Sequence, residues 1–152
     1  MIIGVASAVM LTTHIIVDGA DRAAAWYTEA LGAVERERIT LPDGRLINVI
    51  LELGGSTVVL ADPFPEHGAH PPSGVLPFVL YLHVDDVDSA WQRALDAGAT
   101  VVRPLDDAFW GDREGQLDDP FGYRWGLTHH VRDVPIEEMT QLAAQAFGGA
   151  AS

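Results

Sequence analysis

The sequence predicts an α+β fold made of two successive βαβββ modules and a C-terminal helix. Two segments carry apolar residues at the spacing of one buried helix face, and they end at Gly32 and Gly98. Strand-length segments separated by turn residues follow each of them. The two halves also match along the chain, because Val17 corresponds to Val84, 67 residues later. Such a repeat indicates a duplicated supersecondary unit.

The first module spans residues 9–61. A strand rich in β-branched residues is predicted from Val9 to Val17, and a helix from Ala20 to Leu31. The helix presents one apolar stripe, formed by Ala23, Trp26, Tyr27, Ala30 and Leu31. Three strands should follow, separated by the turns Pro42-Asp43-Gly44 and Gly54-Gly55, at residues 34–40, 46–53 and 57–61.

Residues 62–75 are rich in proline and glycine and predict a linker or a mobile loop. The second module then spans residues 76–130 and repeats the pattern. Its predicted elements are a strand at 77–84, a helix from Val87 with the stripe Val87, Ala90, Trp91, Ala94 and Leu95, a short strand at 100–103 and a hairpin at 109–130. The hairpin turns at Asp119-Pro120-Phe121-Gly122, and an amphipathic helix is predicted at 135–147.

Composition excludes several classes of function. The chain has 152 residues, 9 basic against 22 acidic side chains and a net charge of −13, which repels phosphate backbones and anionic membrane surfaces. We therefore expect no nucleic-acid partner and no membrane partner. No cysteine is present, so a metal would need His or carboxylate ligands. The sequence carries neither a long apolar run nor a cleavable leader pattern, and a cytoplasmic protein is expected.

Four stretches, together with the duplicated unit that contains them, resemble one known family: VDGADRAAAWYTEALGA, LELGGSTVVLADPFPEHG, LHVDDVDSAWQRALDAGA and FWGDREGQLDDPFGYRWGLTHHV. They are similar to the vicinal oxygen chelate superfamily of glyoxalase, bleomycin resistance and dioxygenase type, and within it to the PhnB-like branch. The resemblance covers about residues 9–145. It implies a single domain over residues 1–152, in which a mixed sheet curls into a cup with the helices outside and the ligand inside. It also implies a homodimer.

Alternation of apolar and polar residues independently divides the strands into two faces. Ile47, Val49, Leu51 and Leu53 are apolar, so this face should meet a helix, while Asn48, Ile50 and Glu52 should line the cup. The same argument places further side chains in the cup, namely Thr12, His14, Ile16, Val79, Tyr81, His83, Arg124, Gly126 and Thr128.

Metal-dependent members of the superfamily coordinate through His, Glu or Gln at one position on each of four strands. The resemblance places these positions at Thr12, Ile50, Val79 and Gly126, none of which is a usual metal ligand. No metal and no cofactor are therefore expected. A displaced site built from His14, His83 and Glu52 is the alternative, although these residues are two or more positions away along their strands.

Glu52 and three loop aromatic residues are the remaining candidates. A carboxylate on a cup face should either meet solvent or contact His14, Tyr81 or Arg124, and it could serve as a general base or as a structural partner. Phe64, Phe109 and Trp110 lie in predicted loops, where aromatic side chains either form the rim of a ligand pocket or pack on their own core.

These observations predict a metal-independent small-molecule-binding protein, with a cationic or aromatic antibiotic-like molecule as the ligand. The predicted ligand-binding residues are His14, Asn48, Glu52, Phe64, Tyr81, His83, Phe109, Trp110 and Thr128. One alternative is a metal-dependent lyase, isomerase or dioxygenase with a displaced His/Glu site. Another is a metal-free acid/base enzyme that uses Glu52 and His14 as catalytic residues. A third is a protein whose cup is filled by its own side chains.

Overall fold

The computed structural model of the protein describes residues 9–148. The chain divides after Ser73 into two compact units, each with one four-stranded sheet among its described residues. The strand order is the same in both sheets, which confirms the predicted α+β fold of two βαβββ modules.

The first unit contains one helix packed on one sheet. Its elements are β1 (Thr13–Ile16), α1 (Ala20–Leu31), β2 (Val34–Thr40), β3 (Leu46–Leu53) and β4 (Ser56–Ala61). The sheet order is β1-β4-β3-β2, in which β1 and β4 are parallel and the other neighbours are antiparallel. Residues 62–75 include a short 3-10 helix, Pro65–His67, and a bridge between Phe64 and Ala69 that is closed by backbone hydrogen bonds.

The α1 helix buries the predicted stripe only in part. Ala23, Tyr27 and Ala30 are fully buried, whereas Trp26 and Leu31 are half-buried. Beneath the helix, Val49, Leu51 and Leu53 of β3 are buried as the alternation predicts. The opposite face of this sheet therefore carries His14, Asn48 and Glu52, as expected.

The second unit repeats this arrangement. Its elements are β5 (Leu80–His83), α2 (Val87–Asp96), β6 (Thr100–Asp107), β7 (Asp112–Asp118), β8 (Arg124–His130) and α3 (Ile136–Phe147). The sheet order is β5-β8-β7-β6, with β5 and β8 parallel. The side chain of Trp91 on α2 lies against Gly115 of β7, where an added Cβ would come within 2.7 Å of the indole ring. The helix therefore covers the face that carries Gly115.

Three predicted strand boundaries are wrong, and pairing explains each. Strand β1 begins at Thr13 rather than Val9, because it pairs with β4 only from Thr13 onward. Strand β5 covers Leu80–His83 because its ladder with β8 has only those four residues. Strand β6 continues past its predicted end at residue 103 to Asp107, because Pro104 lies inside an irregularity of this edge strand and does not end it.

The predicted turn of the last hairpin is confirmed and is organised by a buried carboxylate. Asp119 Oδ1 accepts hydrogen bonds from the backbone N–H groups of Phe121 at 2.8 Å and Tyr123 at 3.0 Å. Its Oδ2 accepts one from Trp125 Nε1 at 2.9 Å. Gly122 has a φ of 95°, which side chains other than glycine rarely adopt. This turn fixes the register in which β7 and β8 pair.

Candidate ligand-binding site

The sheet of the second unit has a polar face, opposite α2, that brings together seven polar or charged side chains from four strands. Residues paired across neighbouring strands share a face, so the register determines its members. One row joins Tyr81, Gly126, Gln116 and Arg103, and the next joins His83, Thr128, Glu114 and Asp106. We refer to these eight residues as the polar face.

Tyr81 lies directly over Gly126 on this face. A Cβ added to Gly126 would come within 2.7 Å of three ring carbons of Tyr81, a distance that real Cβ atoms do not show. Only glycine leaves room for the aromatic ring at this position. The ring is 42% exposed, so its outer surface remains available for contact with another molecule.

The hydroxyl of Tyr81 is held by three polar side chains. It accepts hydrogen bonds from Gln116 Nε2 at 2.8 Å and Arg103 Nη2 at 3.3 Å, and it lies 3.4 Å from Glu114 Oε1. Arg103 Nη2 also donates to Glu114 Oε1 at 2.7 Å. This network fixes the orientation of the tyrosine ring over Gly126.

Glu114 is a buried carboxylate whose charge is matched by Arg103. Its side chain is only 5% exposed, whereas that of Arg103 is 43% exposed. The hydrogen bond from the guanidinium to Glu114 raises the pKa of Arg103 above its ordinary value. Oε1 accepts from both Arg103 and Tyr81, while no side chain among residues 9–148 donates to Oε2.

Thr128 lies beside Glu114 in the same row and is 2% exposed. Its hydroxyl has no hydrogen-bond partner within the described part of the chain. His83, its neighbour on β5, is exposed. The predicted residues Tyr81, His83 and Thr128 are thus brought together on one face.

A cleft of about 520 Å³ adjoins the polar face at β6 and the turn that follows it. Arg103 and Asp106 contribute to both features, and Phe109 and Trp110 line the cleft with them. The two aromatic rings meet edge to face, with centroids 4.8 Å apart. Phe147 of α3 contacts Phe109 from another side, with centroids 6.3 Å apart. The predicted loop aromatics therefore form part of a cleft wall.

In the first unit, the predicted site residues are more dispersed. His14 is exposed and pairs with Val59, and Asn48 pairs with Ile39. Glu52 forms an ion pair with Arg36 on the neighbouring strand. The side chain of Glu52 is 41% exposed, so it meets solvent, which is one of its two predicted environments. Its ion-pair partner Arg36 was not predicted, and it lies at an irregularity of β2, the strand next to β3.

Arg124, which was also predicted to line the cup, forms an ion pair with Asp118. Its Nε donates to Asp118 Oδ1 at 2.9 Å, because the two residues are directly paired on β8 and β7. This ion pair joins the two strands at the end next to the turn.

Phe64 lines a separate cleft of about 410 Å³ within the first unit. The guanidinium of Arg45 lies 4.3 Å from the centre of its ring. Ile16, Ile47 and Ala61 make the other walls mainly apolar.

Comparison with known proteins identifies the family. The profile of the "Glyoxalase/Bleomycin resistance protein/Dioxygenase superfamily" matches residues 8–127. The chain belongs to this superfamily. An uncharacterized protein of Mycobacterium bovis is 44% identical over 143 residues, covering 91% of this chain and 93% of its own length. An uncharacterized protein of Mycobacterium tuberculosis H37Rv is also 44% identical, with coverage of 91% and 84%.

Solved structures of superfamily members share the fold. TioX from Micromonospora sp. ML1 is 26% identical with a TM-score of 0.67, over 82% of this chain and all of that chain. A PhnB protein from Bacillus cereus is 19% identical with a TM-score of 0.63, over 78% and 98% of the two chains. This agrees with the PhnB-like resemblance at the level of fold. None of the described helices has the length and apolar character needed to cross a bilayer.

The residues present do not fit the metal site that some superfamily members use. The ring of Tyr81 occupies the space into which a side chain at Gly126 would project. In the matching sheet order, Val59 is the counterpart of Gly126, whereas Ile50 is the counterpart of Gln116. By this correspondence, the position in the first unit that matches Gly126 is Val59 rather than Ile50. Both side chains are apolar, so neither position offers a metal ligand. Within residues 9–148, no group of three His, Asp or Glu side chains is arranged to hold a metal ion.

Sequence reasoning missed Arg103, Asp106, Glu114 and Gln116. The signal for two of them lies in β7, DREGQLD, where Glu114 and Gln116 alternate with Gly115 and Leu117. Arg103 and Asp106 lie on either side of the β6 irregularity, where simple alternation fails.

Proposed function

We propose that this chain binds a small aromatic, cationic molecule without a metal, in the cleft formed by residues 103–110. The observation that carries the proposal is the combination of Phe109 and Trp110 with the exposed carboxylate of Asp106 in one cleft. An antibiotic-like compound has this chemistry, and its sequestration is the role that we propose.

The physics of the cleft suits a cation with an aromatic body. Phe109 and Trp110 are half-buried, so their rings are held in place yet still present surface. A cation over an aromatic ring gains about 0.5–1 kcal/mol at an exposed site and about 2 kcal/mol when desolvated. The net charge of −13 further attracts positively charged ligands.

Metal independence is proposed from the residues themselves. Gly126 and Val59 have no ligating atom, and Tyr81 fills the adjacent space. The acid/base alternative that uses Glu52 and His14 has less support. Glu52 is paired with Arg36, and no described hydrogen bond or ion pair joins it to His14.

A thermal-shift screen of cationic aromatic antibiotics, with and without a chelator, tests the proposal. A ligand at 100 times its Kd adds about 2.7 kcal/mol of stability. For a chain of this size, that corresponds to a rise in Tm of about 5–10 °C. We expect the same shift in chelator-treated protein and in protein supplied with Ni²⁺, Zn²⁺, Mn²⁺ or Fe²⁺.

Two variants locate the ligand. Trp110→Ala should weaken binding, because it removes one wall of the cleft. Phe78→Ala removes an aromatic side chain that is 44% exposed outside the cleft, and it should leave binding unchanged. Binding that requires added metal, or that survives Trp110→Ala unaltered, would contradict the proposal. Loss of binding in Phe64→Ala alone would place the ligand in the first unit instead.

A further inference from the structure

We propose that Glu114, Thr128 and Asp106 form a subsite for the ammonium group of the ligand. This inference rests on the proposed function, since the subsite adjoins the aromatic cleft. It adds the position at which the charged group of the ligand is held and the chemical class of that group, a protonated amine with N–H donors.

The three residues lie in one row of the polar face. Thr128 on β8 pairs with Glu114 on β7, and Glu114 pairs with Asp106 on β6. Directly paired residues in antiparallel strands have Cβ atoms about 4.5–5.5 Å apart and project from the same face. Their side chains therefore form a continuous polar line across three strands.

Glu114 supplies a buried acceptor that the protein uses only in part. Oε1 is occupied by Arg103 and Tyr81, and nothing in the described chain donates to Oε2. Arg103 balances one negative charge in this region. Asp106 adds a second, whose only described hydrogen bond is from the backbone N–H of Asp107 at 2.8 Å. The region thus has the charge to receive one further cation.

Thr128 is the independent indication that a polar group is bound here. Its hydroxyl is buried without a partner, and buried polar groups are normally hydrogen-bonded. An ammonium group has three donors and no acceptor. Glu114 Oε2, the Asp106 carboxylate and Thr128 Oγ1 offer three acceptors in one row. The exposed side chain of His83, which pairs with Thr128, can change rotamer to admit a small group.

Asp106 also connects the subsite to the aromatic cleft. It belongs to the row of Glu114 and lines the same cleft as Phe109 and Trp110. A ligand with its ring against these aromatic side chains can therefore direct an amine along β6 toward Glu114.

Tryptamine and tryptophol form a matched pair of probes, because they share an indole ring and differ in an ammonium against a hydroxyl group. Calorimetric titration at pH 7 should give tryptamine an affinity about tenfold higher, as expected for one hydrogen bond to a charged group. Glu114→Gln and Thr128→Val should each reduce the affinity for tryptamine and leave that for tryptophol unchanged.

Controls separate this inference from loss of folding and from failure of the proposed function. Glu35→Gln alters a carboxylate that pairs with an arginine in the first unit, and it should change neither affinity. If Glu114→Gln unfolds because Arg103 loses its partner, Thr128→Val carries the test, since it replaces an unpartnered hydroxyl with a methyl group. Equal affinities for both probes, unaffected by Thr128→Val, would overturn the subsite and leave the aromatic cleft standing. Binding of neither probe would count against both proposals.

Discussion

Replacement of Gly126 by alanine should expose how tightly Tyr81 is fitted to this sheet. The new Cβ would lie within 2.7 Å of three ring carbons, so the tyrosine must leave its position. Because the ring is 42% exposed, it can rotate toward solvent rather than distort the backbone. The rotation breaks its hydrogen bonds to Gln116 and Arg103.

The magnitude follows from two opposing terms. Loss of the 2.8 Å bond between Tyr81 and Gln116, together with crowding at the site, should cost about 1–3 kcal/mol. Alanine in a strand is favoured over glycine by about 0.5–1 kcal/mol, because it loses less backbone entropy on folding. The net destabilisation expected for Gly126→Ala is therefore about 0–2.5 kcal/mol.

The energetic coupling between Tyr81 and Gly126 is measured by urea unfolding of the unmodified protein, Gly126→Ala, Tyr81→Ala and the double variant. In the Tyr81→Ala background, the steric conflict is gone, so Gly126→Ala should be neutral or should stabilise the fold. The double-mutant cycle should then give an interaction energy of about 1–3 kcal/mol. The same change in the free energy of unfolding in both backgrounds would refute the contact between Tyr81 and Gly126.

Two further predictions concern the ends of β8. Asp119→Asn replaces one carboxylate oxygen with an N–H₂ group, which cannot accept a hydrogen bond. That group would face either the indole N–H of Trp125 or the backbone N–H groups of the turn. The free energy of unfolding, measured in urea, should therefore fall by about 1–3 kcal/mol. His130 lies between Asp112 at 2.9 Å and Asp133 at 2.7 Å, and its hydrogen bond to Asp112 contributes most to raising its pKa above 6.5. The folded state thus binds the proton more tightly, so this stabilisation is complete below pH 6.5 and is lost as the pH rises through the raised value. The free energy of unfolding should fall less steeply with rising pH in His130→Gln than in the unmodified protein. An identical fall in both proteins would show that His130 does not cause this pH dependence.

The first unit shows how far local patterns can be taken. Apolar alternation correctly assigned Val49, Leu51 and Leu53 to the helix side, because successive strand residues point to opposite faces. It could not predict that Glu52 pairs with Arg36. The irregularity between Glu35 and Glu37 shifts the register of β2 by one residue, and such shifts depend on the paired strand rather than on the segment itself.

The candidate site likewise contains residues that alternation predicts and residues that only strand pairing reveals. Tyr81, His83 and Thr128 were predicted from alternation, whereas Glu114, which is more central, was missed. A glutamate within DREGQLD has the composition of an exposed strand, and its burial becomes evident only when β8 and β6 lie on either side of it. The pairing of Asp106 with Glu114 likewise requires the irregularity between Arg103 and Asp106, because unbroken pairing would place Leu105 opposite Glu114.

The sequence by itself determined the duplicated fold and the two faces of the regular strands, because these depend on residue type and short-range periodicity. The tertiary structure alone decided which polar side chains meet. Tyr81 lies over Gly126 through pairing between β5 and β8, which are distant in the chain, and Thr128 stands beside Glu114 through the register of the last hairpin. A one-residue change of register would send these side chains to the other face, so strand pairing decides the chemistry that the site offers.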